Sequence, residues 1–225
     1  MRRRTGRKPE IRAAILAGGR ASRYRGLPKG LLPLPDGAAI LAHTIGVVRE
    51  SGIEYTFLVA NDPDPYRPLG LQIIADRRPG LGPLAGIEAA LHHCLGRCQG
   101  LLVLPCDLPG ITVGVVSRLQ AAFARQRPPV TVAEMPDGFW QPLCAIVRPD
   151  VLPAVTRALD AGRRGVYRLW RELRAVPELF PDPRPFFNIN TPEDLARWAE
   201  RQSDPARPDR SDVAPGITER PRVSS

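Results

Sequence analysis

The sequence predicts an α/β fold in which a mostly parallel central sheet is flanked by helices. Three observations carry that expectation. Short apolar runs, each closed by Gly, Asn or Asp or by Pro-Cys-Asp, alternate with segments whose apolar residues fall at helical spacing. The chain has 225 residues, enough for one domain with a sizeable core. Its four cysteines, Cys94, Cys98, Cys106 and Cys144, show no disulfide-framework spacing and read as reduced thiols of a cytoplasmic protein.

The elements follow in order. Ile11–Ala17 is a short apolar run ending in glycines, which reads as a buried strand. A Gly/Arg-rich loop extends to Gly30, and Ala38–Ser51 has helical spacing and stops before Gly52. Tyr55–Ala60 and Leu71–Ala75 read as strands closed by Asn61 and Asp76. Gly82–Leu95 opens with Gly-Pro, a proline position that a helix tolerates. Leu101–Leu104 is a strand leading into Pro105-Cys106-Asp107, and Thr112 caps a helix running to Gln126. Val130–Glu134 and Phe139–Val147 form paired strands around a Pro-Asp-Gly turn. Asp150–Ala161 and Val166–Leu173 are helices, and Thr191-Pro192 starts a last helix that fades near Gln202.

These readings place one domain over 11–202, between a basic disordered arm at 1–10 and a disordered tail at 203–225. The formal net charge is +9, and six basic residues fall within the first dozen positions. Such an arm is read as a solubilising extension, and no nucleic-acid-binding motif accompanies it. Ile11–Ala17 is too short for a membrane span and runs into Gly-Gly-Arg, unlike a cleaved signal peptide.

Gly18–Gly30, Asn61, Asp76 and Asp107 all stand just past the carboxyl ends of expected strands. In open α/β sheets that edge binds ligands. Glycines after the first strand let backbone N–H groups approach phosphate oxygens, and Arg20, Arg23, Arg25 and Lys29 can neutralise them. The loop matches neither the dinucleotide fingerprint nor the P-loop pattern. Two lysines stand among 32 basic residues, and only Lys29 falls in the globular part, so a compact ammonium is expected to be needed there. His92-His93-Cys94 and Cys98 lack a second cluster to complete a metal site and read as ordinary helix residues; His43 is read as structural.

Leu16-Ala17-Gly18-Gly19, followed ten residues after the second glycine by Lys29-Gly-Leu-Leu, resembles the signature loop of the nucleotidyltransferase superfamily that includes sugar-phosphate nucleotidylyltransferases. Asn61-Asp62, Gly82-Pro-Leu-Ala-Gly86, Leu104-Pro-Cys-Asp-Leu-Pro109, Gln141-Pro-Leu143 and Asn188-Ile-Asn-Thr-Pro-Glu193 resemble its molybdenum cofactor guanylyltransferase branch, in the family's order. Two departures stand out: Pro28 occupies a place where many relatives carry an acid, and the loop holds Arg23-Tyr24-Arg25.

The resemblance implies a three-layer Rossmann-like fold and transfer of GMP from GTP to the terminal phosphate of molybdopterin, with release of pyrophosphate. It implies Lys29 and Asp107 as catalytic groups, with Asp107 holding Mg²⁺. Leu16, Ala17, Gly18, Gly19, Arg23, Lys29, Asn61, Asp76, Gly82, Gly86 and Asp107 would bind the nucleotide. Gln141, Arg163, Arg164, Asn188 and Asn190 would lie toward the pterin. Arg77 and Arg78 either face a phosphate or are solvated. The acceptor phosphate is already an anion, so no nucleophilic triad is required, and none is apparent. Expected partners are GTP and the molybdenum cofactor, with transient contact to molybdenum-insertion proteins or apo-molybdoenzymes. No nucleic acid or membrane is expected, and the protein is read as a monomer or weak oligomer. Two other readings remain open at this point. One is a sister enzyme using CTP or another small phosphate acceptor. The other is a non-catalytic carrier of the finished cofactor, which Lys29 and Asp107 argue against.

Overall fold

The computed structural model describes residues 9–18, 23–24 and 27–203. Most of the expected arm at 1–10 and all but the first residue of the expected tail at 203–225 lie outside them, as does Gly19. The strands are β1 (Ile11–Leu16), β2 (Arg23–Tyr24), β3 (Leu27–Pro28), β4 (Thr56–Val59), β5 (Gln72–Ile74), β6 (Gly100–Pro105), β7 (Val130–Glu134), β8 (Trp140–Val147) and β9 (Val176–Leu179). The α-helices are α1 (Ile40–Glu50), α2 (Pro83–Cys94), α3 (Val113–Gln126), α4 (Leu152–Asp160), α5 (Val166–Glu172) and α6 (Pro192–Ser203).

Seven strands form one sheet in the order β5-β4-β1-β6-β8-β7-β9, and β2 and β3 pair separately. Strands β5, β4, β1 and β6 run parallel, β8 runs antiparallel to both its neighbours, and β9 joins β7 in parallel. The chain therefore steps outward from β1 through β4 to β5, then crosses back to lay β6 on the other side of β1. Such a reversal opens a crevice at the carboxyl edge.

Strand periodicity makes the three layers. Ala14, Leu16, Phe57, Val59, Leu101 and Val103 pack on α2, α4 and α5 through Leu84, Ile87, Leu91, Val155, Leu159 and Trp170. Residues of opposite parity, Ala13, Leu102 and Leu104, pack on α1 and α3 through Val47, Val48, Val116, Leu119 and Phe123. Successive side chains point to opposite faces, so a parallel strand covered on both sides must be apolar throughout. The β7–β8 hairpin turns at Gly138, whose φ of +82° lies in the left-handed region. Thr112 Oγ1 accepts from Val115 N at 3.3 Å, the expected cap of α3.

Candidate active site

Three strand ends bring the candidate residues to one rim. Leu16 at the end of β1 pairs with Val59 of β4 and Pro105 of β6, so Gly18, Asn61 and Asp107 emerge side by side. Asp76 follows β5, which pairs with β4 through Val59 and Ile74. A Cβ on Gly18 would stand in ordinary contact, 3.7 Å from Val59 O and 3.9 Å from Asn61 N, so Gly18 lies directly beside the end of β4.

On the β4–β5 side, Asn61 and Asp76 hold each other reciprocally. Asn61 Nδ2 donates to Asp76 Oδ2 at 3.0 Å, and Asp76 N donates to Asn61 Oδ1 at 2.9 Å. Burial pushes the Asp76 carboxyl above its ordinary value, and the Asn61 hydrogen bond opposes that shift. A Cβ on Gly86 would stand 3.4 Å from Asp76 Oδ1 and from Leu16 Cδ2, and 3.5 Å from Val59 Cγ1. Asp76 Oδ1 and the Leu16 and Val59 side chains thus crowd around Gly86. Gly82 enters α2 at φ +80° and ψ −168°, a conformation that excludes most side chains, and it precedes Pro83 at the first turn. No side chain caps this helix; Pro83 has no N–H and Ala85 N donates to Gly82 O at 3.1 Å, so Leu84 carries the uncapped N–H of the first turn.

On the β1–β6 side, Lys29 opens a 3₁₀ turn over Lys29–Leu31 and is buried, only 7% exposed. Its neighbour Gly30 presses on the residue just past β6: a Cβ there would meet Cys106 Cβ at 3.1 Å and Cys106 O at 3.2 Å. Lys29 Nζ donates to Asn190 Oδ1 at 2.9 Å, while Ile189 N donates to Asp107 O at 2.9 Å. The 189–190 segment therefore ties the Lys29 ammonium and the Asp107 backbone into one corner. The segment is itself held by the start of α6. Asp194 Oδ2 accepts from the N–H groups of Asn190 and Thr191, both at 2.8 Å, and Asp194 N donates to Thr191 Oγ1 at 3.1 Å. This reciprocal cap is the box expected where Thr is followed three residues later by an acid.

Asp107 Oδ1 is buried with no hydrogen-bond partner among the described residues. Burial pushes the Asp107 carboxyl up, and the Lys29 charge pulls it partly back. The adjacent Cys106 thiol is pushed up to about 12, chiefly by burial and then by the Asp107 charge, so it is a neutral neighbour rather than a nucleophile. No group of three or more His, Cys, Asp or Glu that could hold a metal occurs among the described residues. A single unpartnered carboxylate suits Mg²⁺, which takes one or two carboxylates and completes its shell with water and substrate phosphates. The donor set fits the ion.

The residues match a model of a MobA-like NTP transferase domain over positions 13–176. The chain belongs to the MobA-like NTP transferase family. This transferase is 37% identical to the molybdenum cofactor guanylyltransferase of Shewanella frigidimarina, over 85% of this chain and 96% of that one. It is 35% identical to the enzyme of the same name from Shewanella baltica, over 84% and 96%. Among solved structures, molybdopterin-guanine dinucleotide biosynthesis protein A from Archaeoglobus fulgidus superposes with a TM-score of 0.68 at 25% identity, covering 85% and 98% of the two chains.

The residues expected toward the pterin divide in this transferase. Asn190 joins Lys29, and Asn188 is exposed on the same segment. Gln141, the second residue of β8, lies opposite Ala133, just before an irregularity that sets Val132 opposite Ala145. Trp170 Nε1 donates to Pro142 O at 2.8 Å and so pins that irregularity to α5. Arg163 Nη1 pairs with Glu172 at 2.6 Å, so its charge is already engaged. Arg164 borders a hollow of about 150 Å³ with Arg163 and Arg168. Arg23 contributes backbone to β2, paired with Pro28, and Gly19 lies outside the described residues. A second hollow of about 730 Å³ lies at the amino edge of the sheet between Glu10, Arg12, Glu54, Tyr55 and Gln99. It is remote from every strand-end residue named above. His93 Nε2 lies 2.9 Å from Tyr55 OH, a packing role on α2.

Two features escaped the sequence reading. Arg78 neither faces a phosphate nor lies free in solvent: it pairs with Glu88 and Asp160. Glu88 is 1% exposed on the core face of α2. An acid inside the apolar run Leu84-Ala-Gly-Ile-Glu-Ala-Ala-Leu91 was the available signal, because a buried charge requires a partner.

Proposed function

We propose that this transferase moves GMP from GTP to the terminal phosphate of the molybdopterin cofactor, releasing pyrophosphate. The carrying observation is the corner in which Lys29, Asn190 and Asp107 are tied together beside the rim where β1, β4 and β6 end. The homologous guanylyltransferases, similar over most of the chain, supply the choice of GTP and of the acceptor.

In the proposed reaction an oxygen of the acceptor phosphate bonds to the α-phosphorus, and the α–β phosphoanhydride bond breaks. The electron pair leaves on pyrophosphate. The nucleophile arrives as an anion, so the protein's task is alignment and charge neutralisation. Lys29 places a fixed ammonium near the triphosphate, and the backbone at Gly18 offers N–H groups to its oxygens. Asp107 would hold Mg²⁺, which when bound neutralises charge on the phosphates. Asn61 and Asp76 meet the nucleoside, with Leu16, Ala17, Gly82 and Gly86 as the surrounding wall. Gln141, Arg164 and Asn188 face the acceptor, and Arg163 does so once its bond to Glu172 is exchanged. The reaction is placed in the cytoplasm, where free thiols such as these four stay reduced.

The test is a thermal-shift panel of GTP, CTP, ATP and UTP with Mg²⁺, followed by pyrophosphate release with the pterin acceptor. Selective stabilisation by GTP and metal-dependent release, both lost in Lys29→Ala and Asp107→Ala, are the expected results. Selective CTP stabilisation would overturn the guanine assignment, and no release with any nucleotide would overturn the transfer reaction.

A further inference from the structure

The loop joining β5 to α2 carries Asp76 at its start and Gly82 at its end, two residues that the proposed reaction sets beside the nucleoside. It is rich in glycine. Gly80 and Gly82 adopt φ of +82° and +80°, and glycines leave a chain many conformations to choose from. Leu81 packs partly against the core. The loop's polar anchors are the Asn61–Asp76 pair at its start and Arg78, two residues further on.

Arg78 reaches two helices at once. Its Nη1 lies 2.6 Å from Asp160 Oδ1 at the end of α4, and its Nε lies 3.2 Å from Glu88 Oε2 on α2. The second contact is an ion pair without hydrogen-bond alignment. Glu88 Oε1 accepts from Thr156 Oγ1 of α4 at 2.8 Å. A carboxylate this deeply buried carries a large desolvation cost unless it is paired. Arg78 supplies the opposing charge. The pairing therefore works in both directions: the guanidinium neutralises Glu88, and Glu88 and Asp160 fix where the loop can lie. A planar guanidinium can address two carboxylates from one backbone position, which an ammonium does less well.

We propose that Arg78 is a positioning residue for nucleotide recognition, acting through Asp76 and the 76–82 loop rather than by touching the nucleotide. Loss of the Glu88–Arg78–Asp160 bridge lets the loop drift, so base contacts weaken while the Lys29–Asp107 corner, on the other side of β4 and β1, is undisturbed. This inference rests on the nucleotidyl-transfer reading of the rim, and the test separates the two.

The experiment measures steady-state pyrophosphate release by the full chain, with GTP, CTP and ATP varied against saturating acceptor and Mg²⁺. Arg78→Ala is expected to raise the KM for GTP about tenfold and to narrow GTP preference over ATP, as displaced contacts do. Its kcat should stay within about twofold, and acceptor KM should be unchanged. Arg78→Lys should recover part of the loss, and Glu88→Gln, which keeps a partner for Thr156, should reproduce the KM effect. If Arg78→Ala fails to fold, Asp160→Asn gives the same reading, since Asp160 is 58% exposed and its change spares the core. It should raise the KM for GTP by about threefold. An active wild type whose Arg78→Ala and Asp160→Asn variants keep nucleotide KM and selectivity would overturn this inference alone. Equal losses in kcat for every nucleotide would overturn it too, by making the bridge a general scaffold. A wild type that releases pyrophosphate from no nucleotide overturns the transfer reading instead.

Discussion

The two ends of the rim handle polar groups in opposite ways. At the Asn61–Asp76 end each side chain satisfies the other, and the pair stands complete before any ligand arrives. At the Lys29–Asp107 end the ammonium is held by Asn190, but Asp107 Oδ1 has no partner among the described residues. A satisfied pair is pre-organised and stabilises the fold whether or not it is used. A buried carboxylate oxygen without a donor is a standing cost, about 1–3 kcal/mol for such groups, and persists where something outside the chain relieves it. In the proposed reaction, recognition falls at one end and charge handling at the other.

The largest expected effect falls on the incomplete end. Asp107→Asn should lower the rate of pyrophosphate release by at least about a hundredfold, the scale of losing one electrostatic contact to the reacting phosphates. The same substitution should leave the melting temperature of metal-free protein unchanged or raised, because burial outweighs the attraction of Lys29 in setting the Asp107 carboxyl. A lower melting temperature in the absence of metal would show that Asp107 is part of the scaffold. Asn190→Ala refines the contrast. If Asn190 orients Lys29, kcat should fall about tenfold with acceptor KM unchanged; a rise in acceptor KM alone would return Asn190 to the pterin side.

At the complete end the effect should appear in binding. Asp76→Asn is expected to raise the KM for GTP about tenfold and to leave kcat nearly intact. Stability supplies an independent reading. Burial raises the folded Asp76 carboxyl above the unfolded value of about 3.9, so between those two values the folded state holds more protons. Stability attributable to Asp76 should fall as pH rises through that window and be constant above it. Asp76→Asn should abolish the fall in a pH series of melting temperatures.

How much of this could be read in advance depended on sequence distance. β1, β4 and β6 were legible because strands covered on both faces must be continuously apolar, and each is followed by glycines or a polar residue at the rim. The Thr191 cap was legible because a helix start follows local rules. β9 was not. It carries Pro177, exposes Val176 and Leu179, and pairs only at a sheet edge, where proline is tolerated and the apolar signal fades. The 3₁₀ segment Asp64–Leu69 likewise hid behind its prolines. The bond from Lys29 to Asn190 spans 161 residues, and no local rule links those positions. Residue types at the site were readable; their partners were not.

Asp194 lies between the two regimes, a satisfied group that supports the incomplete end. Burial opposes its ionised form, but Arg197 and the N–H groups of Asn190 and Thr191 outweigh it and hold the carboxyl below its ordinary value. Asp194→Ala should therefore cost about 1–2 kcal/mol of stability at neutral pH, the scale of a lost helix cap. A depressed carboxylate stabilises above its unfolded value, so the gap between variant and wild type should close as pH falls below about 3.9. Activity should fall with it, less than for Asn190→Ala, because the backbone at 190 is loosened while its amide remains.

The smallest effect is expected at Arg163. Its partner Glu172 is also held by Arg168, and both sides of the pair are substantially exposed, where solvent screens the attraction. Arg163→Ala should leave the melting temperature unchanged. Its use as a test comes from Glu172→Gln, which releases Arg163 without removing it. If Arg163 receives the acceptor's phosphate, Glu172→Gln should lower acceptor KM by about twofold and Arg163→Ala should raise it by a similar factor. Opposite movements from two surface substitutions would place the acceptor over α5. Identical behaviour in both variants would confine the acceptor to Gln141, Arg164 and Asn188, leaving the Arg163–Glu172 pair as surface structure.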